Sequence, residues 1–443
     1  MRGVINGKYD TLVSWGRYPN HPQVATKCRW QDQIAPVLTK DSARPTLAFG
    51  NGRSYGDSCL STSDVVLHMT GLNRVIEADW ATGRVVAQSG LLLDELIQLA
   101  LPRGWFLPVT PGTRFVTLGG AVANDVHGKN HHQRGTFGCH IQRMEVIRSD
   151  VGKQVCSPKE NPELFSATVG GLGLTGIISW IELQLRPVRS SMVDTVSHRF
   201  SNLGEFFSIS DEYDKSHEYA VAWIDCLAKG RALGRGIYML GDHAPEGGIK
   251  LSSRPARRFP VDPPVSLVNR WSVRLFNELY YRRQRQDVER SRVSFLPYFY
   301  PLDAILDWNR VYGRRGFQQY QCLVPEGVAA DCLKEILQAI AQSKTGSSLA
   351  VLKRFGDVSS PGWLSFPGPG TTLALDFPRV PHVVDPLFSK LDTIIREADG
   401  RLYPAKDAHM AGADFRQAYP TWERLEALRD PALCSRFWKR VTQ

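Results

Sequence analysis

The sequence predicts an α+β fold, on three observations. The first 190 residues alternate short apolar strands with glycine-rich turns. The residues beyond alternate strands with two amphipathic helices. The regular strand–helix alternation of a doubly wound parallel sheet is missing. Residues 1–190 are therefore expected to form one domain and residues 191–399 a second, sheet-based one.

In chain order, "PTLAFGNGRSYGD" reads as a strand running into a turn, and "RVIEADWATGRVVAQSG" as two strands joined at Ala81-Thr82-Gly83. "LLLDELIQLALPRGW" has helical spacing and stops at Pro102 and Gly104. "MEVIRSDVGKQVCSP" is a hairpin candidate. "ENPELFSATVGGLGLTGIISWIELQLRPV" gives a short helix, a glycine-rich turn and a long alternating strand. Further on, "EYAVAWIDCLA", "ALGRGIYMLGD", "FQQYQCLVP" and "TTLALDFP" read as strands. "GVAADCLKEILQAIAQS" and "VVDPLFSKLDTIIREADG" read as amphipathic helices. Residues 250–293 stand apart, with eleven Lys or Arg against four Asp or Glu. They are either a solvated, flexible insertion or a basic aromatic lid that meets anionic lipid or phosphate.

Bulk composition narrows the function. A chain of 443 residues with 42% hydrophobic and 22% charged residues builds a sizeable core. The net charge of +10 favours acidic partners: nucleic acid, anionic headgroups or phosphorylated substrates. No short nucleic-acid-binding motif accompanies it, so nucleic acid is not expected. The eight cysteines form no CxxC pair, which argues for a reduced, cytoplasmic setting. The opening "MRGVINGKYDTLVSWGRYPN" lacks the apolar core of a signal peptide. No run approaches the roughly 20 apolar residues of a membrane span. Membrane contact is thus expected to be peripheral at most, at the inner face.

Three glycine-rich motifs carry the chemistry. In "FGNGRSYGD" the glycines at 50, 52 and 56 miss the nicotinamide-type GxGxxG spacing by one residue. The motif is either a plain turn or a cradle whose N–H groups converge on an anion, with Arg53 adding charge. In "TPGTRFVTLGGAVANDVHGKNHH", Gly112, Gly119 and Gly120 permit close backbone approach, and Asn124 and Asp125 are short polar side chains just beyond. His127 and Lys129 flank Gly128, so both are expected in one cavity. The histidines carry no companion acidic ligands, so no metal is expected. His127 also reads as an ordinary hydrogen-bonded structural histidine. The third motif, "ATVGGLGLTGIISWIEL", places glycines at 170, 171, 173 and 176 before a strand. Glycine weakens strands unless something must come close, and three such turns in one region point to a ligand.

The order of these motifs resembles the FAD-binding domain of the vanillyl-alcohol-oxidase superfamily, and within it the decaprenylphosphoryl-ribose 2-oxidase-like flavoproteins. The resemblance covers nearly the whole chain, and "HGKNHH" is its most specific part. It implies a PCMH-type FAD-binding domain of two α/β subdomains, and a substrate domain on an antiparallel sheet with helices. It also implies that residues 400–443 return to the FAD domain. FAD would be held by Gly50, Asn51, Gly52, Arg53, Ser54, Tyr55 and Gly56 of the first turn. Gly112, Thr117, Leu118, Gly119 and Gly120 would follow, then Asn124, Asp125, Val126 and His127, with Ile178 and Tyr403 from further on. Lys406 in "GRLYPAKD" takes the place of the catalytic lysine, and His127 is the second catalytic candidate. Lys129, Gln319, Gln321, Lys353, Phe355 and Thr372 would face substrate.

Many relatives bind FAD through a histidine at the position of Arg53; arginine forms no such bond, so dissociable, non-covalent FAD is expected. The implied reaction is oxidation of a sugar secondary alcohol by hydride transfer to flavin N5. The expected alcohol is the 2-hydroxyl of a polyprenyl-phosphoryl ribose, as the first step of epimerisation to arabinose with a nicotinamide-dependent reductase as partner. The rival is an aldonolactone or alditol oxidase that acts on a soluble sugar with oxygen. One departure is plain: relatives carry Asn-x-Cys before "VDFP", whereas this chain has Thr372 and Ala374. Covalent inhibitors aimed at that cysteine are expected to fail here.

Overall fold

The computed structural model describes residues 11–38, 44–251 and 256–443. The first ten residues, part of the stretch read as lacking a signal peptide, and residues 252–255 of the basic stretch lie outside the described residues. The architecture is α+β. Strands β1 (Thr11–Leu12), β2 (Gln23–Lys27), β3 (Ala48–Phe49) and β4 (Val65–His68) form a sheet in the order β1-β2-β4-β3. Both β2 and β3 run parallel to β4. The expected strand before the first glycine turn is β3, two residues long.

The second sheet is antiparallel, in the order β5-β6-β10-β8-β9. The hairpin of β5 (Val75–Asp79) and β6 (Arg84–Gln88) turns at Ala81-Thr82-Gly83 as the sequence implied. Helix α1 (Leu93–Ala100) gives way to a 3-10 turn that ends at Gly104 with φ 81°. Strand β7 (Trp105–Phe106) pairs with β11 (Arg186–Pro187). Short helices α2 (Leu118–Ala123) and α3 (His131–Arg134) precede the hairpin β8 (Ile141–Arg148) and β9 (Gly152–Cys156). Helix α4 (Pro162–Thr168) leads through the third glycine turn into β10 (Ile177–Gln184). The alternation expected of β10 is replaced by burial of nearly every residue. It lies between β6 and β8, so both of its edges are hydrogen-bonded, and residues on both of its faces are buried.

The third sheet has eight antiparallel strands in the order β16-β12-β14-β13-β19-β20-β18-β21. They are β12 (Met192–Phe200), β13 (Tyr219–Ile224), β14 (Gly236–His243), β16 (Val288–Ser294), β18 (Phe317–Val324), β19 (Val351–Phe355), β20 (Gly370–Pro378) and β21 (Arg401–Leu402). Helices α5 (Leu203–Tyr213), α8 (Ala329–Gln342) and α9 (Pro381–Glu397) cover one face. Their Phe206, Leu333 and Leu391 share a core with Tyr320, Leu352 and Leu373 of the sheet. Side chains alternate along a strand, so Gln319, Gln321, Lys353 and Thr372 point the other way, toward the cavity described below. The strand expected at "FQQYQCLVP" starts at Phe317, and the chain before it forms a 3-10 turn, Trp308–Tyr312. Left-handed backbone at Asp307, Gly313 and Gly316 turns the chain there.

The basic stretch is structured over residues 270–294. Helix α6 (Arg270–Arg283) is capped by Asn269, whose side chain accepts from the Trp271 and Ser272 N–H groups. Strand β16 then pairs with β12 along the sheet edge. There β16 completes a ladder and α6 buries Val273 and Asn277, while most of their other residues are exposed, as a solvated insertion would have them. Beyond it lies α7 (Phe295–Phe299), and β15 (Arg257–Arg258) pairs in parallel with β17 (Ile305–Leu306). No helix among the described residues is long and apolar enough to cross a membrane.

The chain ends in α10 (Gly412–Ala418), α11 (Trp422–Leu428) and α12 (Arg436–Thr442), which lie against the N-terminal sheet. The Thr46 N–H donates to the Ala432 carbonyl and the Arg436 N–H to that of Leu60. Arg440 of α12 donates to both oxygens of Asp57 at 2.8 and 3.0 Å and to Asp407 at 2.8 Å. Burial works to raise the Asp407 pKa, but Arg440 and His409 overcome it and hold the carboxyl below the ordinary range. Arg440→Ala leaves two buried carboxylates without their shared cation. The expected cost is about 3–5 kcal/mol of stability, read as a lowered urea midpoint.

Candidate functional site

A cavity of about 310 Å³ lies between the three glycine turns and the open face of the eight-stranded sheet. The first turn leaves β3 and lines it from Gly50 to Tyr55. Thr117 caps α2 by accepting from the Gly120 N–H at 3.1 Å, which sets Gly119 and Gly120 against the cavity. Gly112, Asn124 and Val126 join them. The third turn contributes Gly173, whose φ of +74° favours glycine; a Cβ there would meet no protein atom within 4 Å. Ile178 on β10 closes this side. Four buried polar atoms on the wall have no hydrogen-bond partner among the described residues: Arg53 Nε, Ser58 Oγ, Ser89 Oγ and His127 Nδ1. Burying such groups unpaired is costly, and their place on the wall suits a polar ligand.

The far end gathers the titratable groups. The Gln321 amide donates to His127 Nε2 at 3.2 Å, which leaves the ring proton on Nδ1. Burial, with Lys353 nearby, pushes the His127 pKa well below its ordinary value, so the ring is neutral. It packs against the rings of Phe355 and Tyr403, at 4.9 and 5.4 Å. Tyr403 donates from its hydroxyl to the Asn124 carbonyl at 2.8 Å and so stands over the end of α2. Lys406 Nζ lies 3.5 Å from the centre of the Tyr55 ring. Burial lowers the Lys406 pKa, while Asp376 acts in the opposite direction and Lys353 adds to the lowering. Burial alone takes Lys353 down to about 8. Asp376 on β20 is pushed up by burial and accepts from Gln319 at 2.5 Å. Thr372 borders the same space, 3.4 Å from Gln321.

Five of the expected residues stand elsewhere. Gly56 is turned into the protein, where a Cβ would lie 1.6 Å from the Asp407 carbonyl oxygen. Leu118 is a core side chain of α2. Asp125 is buried away from the cavity and accepts from the Gly138 N–H at 2.9 Å and from the Ser360 and Ser365 hydroxyls at 2.5 Å. Lys129 flanks His127 in sequence but not in space. Its ammonium donates to the Tyr298 carbonyl and lies 4.1 Å from that ring's centre, where burial takes its pKa to about 7. Phe355 backs the His127 and His131 rings without reaching the cavity.

Other wall residues went unremarked in the sequence: Trp15, Leu302, Asp303 and Trp308. The Arg53 guanidinium stacks 3.9 Å above the Trp15 ring, which explains the tryptophan. Asp303 accepts from the Arg114 N–H at 2.9 Å and so ties the loop after α7 to the second glycine stretch. The one signal available beforehand was the aromatic cluster around Trp308.

The sequence profile of the FAD binding domain family matches residues 22–157, which hold the first two glycine stretches. Decaprenylphosphoryl-beta-D-ribose oxidase of Mycolicibacterium smegmatis is 35% identical over 440 residues, covering 95% of this chain and 94% of the relative. The chain belongs to the decaprenylphosphoryl-ribose oxidase family. It is an FAD-dependent oxidoreductase. L-gulono-1,4-lactone dehydrogenase of Mycobacterium tuberculosis is 21% identical over 94% of this chain and 95% of its own length. L-gulonolactone oxidase of Mus musculus is 25% identical over 41% of this chain and 40% of its own. The cavity suits the cofactor. Glycines let backbone approach a long ligand, and the unpartnered Arg53, Ser58, Ser89 and His127 atoms offer hydrogen bonds along its length.

Proposed function

We propose that the chain oxidises the 2-hydroxyl of a polyprenyl-phosphoryl ribose to the 2-keto sugar. The observation that carries this reading is the pair Lys353 and Lys406. Both face the cavity and neither has an ion-pair partner among the described residues. Two buried amines, of which only Lys406 has an acid, Asp376, acting on it, suit an anionic substrate, and a phosphoryl sugar brings the charge. The name of the Mycolicibacterium relative supports the sugar and the lipid. FAD would rest between the first two sheets, since the glycine turns leave β3 of one and lead into β10 of the other.

Bound FAD supplies the acceptor for the hydride leaving the sugar carbon. The rest falls to the chain. Lys406, drawn toward neutrality by burial, accepts the hydroxyl proton. Neutral His127, held by Gln321, orients the hydroxyl through its free Nδ1–H. Lys353 holds the phosphoryl group. Arg53, stacked on Trp15, stands where a covalent histidine link would form, so FAD is held without a covalent bond. Reducing the 2-keto group back to an alcohol would fall to a second, nicotinamide-dependent reductase, which supplies the hydride.

A second reading, oxidation of a free aldonolactone or alditol with oxygen, draws on the likeness to the lactone enzymes. Anaerobic titration separates the two. Polyprenyl-phosphoryl ribose is expected to bleach the flavin and to reduce an artificial acceptor without peroxide. Bleaching only by lactones or alditols, with peroxide formed in air, would overturn the proposal. Lys406→Ala is expected to keep its yellow colour and to slow bleaching by about 10²-fold or more. Wild-type bleaching in that variant removes Lys406 from the chemistry. Denaturation without proteolysis is expected to leave FAD in the supernatant, whereas colour in the precipitate contradicts a non-covalent site.

A further inference from the structure

We propose that the outer face of α6 is a docking surface for an anionic lipid bilayer. Trp271, Leu275 and Leu279 are 77%, 63% and 63% exposed. Spaced four apart, they form one stripe along the helix. Phe276 widens it, and Val265 and Leu267 extend it along the approach to the helix. The helix buries only Val273 and Asn277, so most of its apolar surface is left uncovered by the described residues.

The charges beside the stripe say what that is. Arg270, Arg274 and Arg283 have no ion-pair partner among the described residues, while Arg282 pairs with Glu278. A tryptophan- and leucine-lined stripe bordered by unpaired arginines is the composition of helices that lie in a membrane interface. The apolar side chains enter the acyl boundary and the guanidinium groups meet anionic headgroups. The helix is too short and too charged to cross, so it lies in the plane.

Its place in the fold connects this face with the site. Val268 and Val273 pack in one cluster with Tyr312 and Phe317, and Trp15, Tyr55 and Trp308 join that cluster. The last three also line the cavity. The back of α6 is therefore one layer of side chains from the cavity wall, and docking brings the cavity to the bilayer. This surface goes beyond the sugar chemistry and holds whether or not the substrate carries a lipid.

The test is co-sedimentation of the full-length holoprotein with phosphatidylcholine vesicles, with and without phosphatidylglycerol. Leu275→Glu/Leu279→Glu and Arg274→Glu/Arg283→Glu change only exposed positions, and flavin absorbance and circular dichroism check that each variant folds. The wild type is expected to bind the anionic vesicles, with binding on the order of tenfold weaker in either variant. A wild type left in the supernatant, or variants that bind as it does, overturns the proposal. So does a wild-type dimer that Leu275→Glu/Leu279→Glu makes monomeric without vesicle binding, which assigns the face to a second copy of the chain. Failure of ribose turnover with vesicle binding intact counts against the proposed reaction and leaves the docking surface standing.

Discussion

The site depends on a seam between residues 54–57 and residues 403–407. The Tyr55 N–H donates to the Ala405 carbonyl at 3.0 Å, and Gly56 lies so close to the Asp407 carbonyl that no side chain fits. Arg440 then clamps Asp57 to Asp407 from behind. Two segments some 350 residues apart are thereby fixed as one wall. Lys406 reaches the Tyr55 ring because its neighbours on both sides are tied to that turn. A lysine on a free C-terminal segment would spend its time in water; here the fold holds it in a dry place, and that shifts its proton equilibrium.

The same dryness governs the other groups at the far end. His127, Lys353 and Lys406 are all pulled toward their neutral forms, with burial the largest cause in each. Burial raises the neighbouring Asp376, whose charge works against the lowering of Lys406. Such a cluster is poorly suited to stability and well suited to proton movement and anion binding. The eight-stranded sheet makes it possible. Alternate residues of β18, β19 and β20 enter the helix-covered core, and those between them carry the polar groups into the cavity.

Much of this was legible in the sequence where a local rule acted. The glycines at 50, 52, 119, 120 and 173 announced close approach, and all border the cavity. Helices α8 and α9 followed from their 3.6-residue period. What the sequence hid was set by distant partners. Lys129 stands two residues from His127, yet the Tyr298 carbonyl captures its ammonium behind the cavity wall. Asp125 is spent on a loop 235 or more residues away. Trp15 and Asp303 come from loops that no periodicity marks; the bond from the Phe317 N–H to the Gly16 carbonyl holds the first beside β18, and the Arg114 N–H holds the second.

The seam is tested most directly by Gly56→Val. A side chain there must displace the Asp407 carbonyl, and with it Lys406. The visible spectrum of the purified variant, with circular dichroism to check folding, is the measurement. The expected result is wild-type circular dichroism with loss of most of the bound FAD, or of all substrate-dependent bleaching. A folded Gly56→Val protein with full flavin content and wild-type bleaching would contradict it.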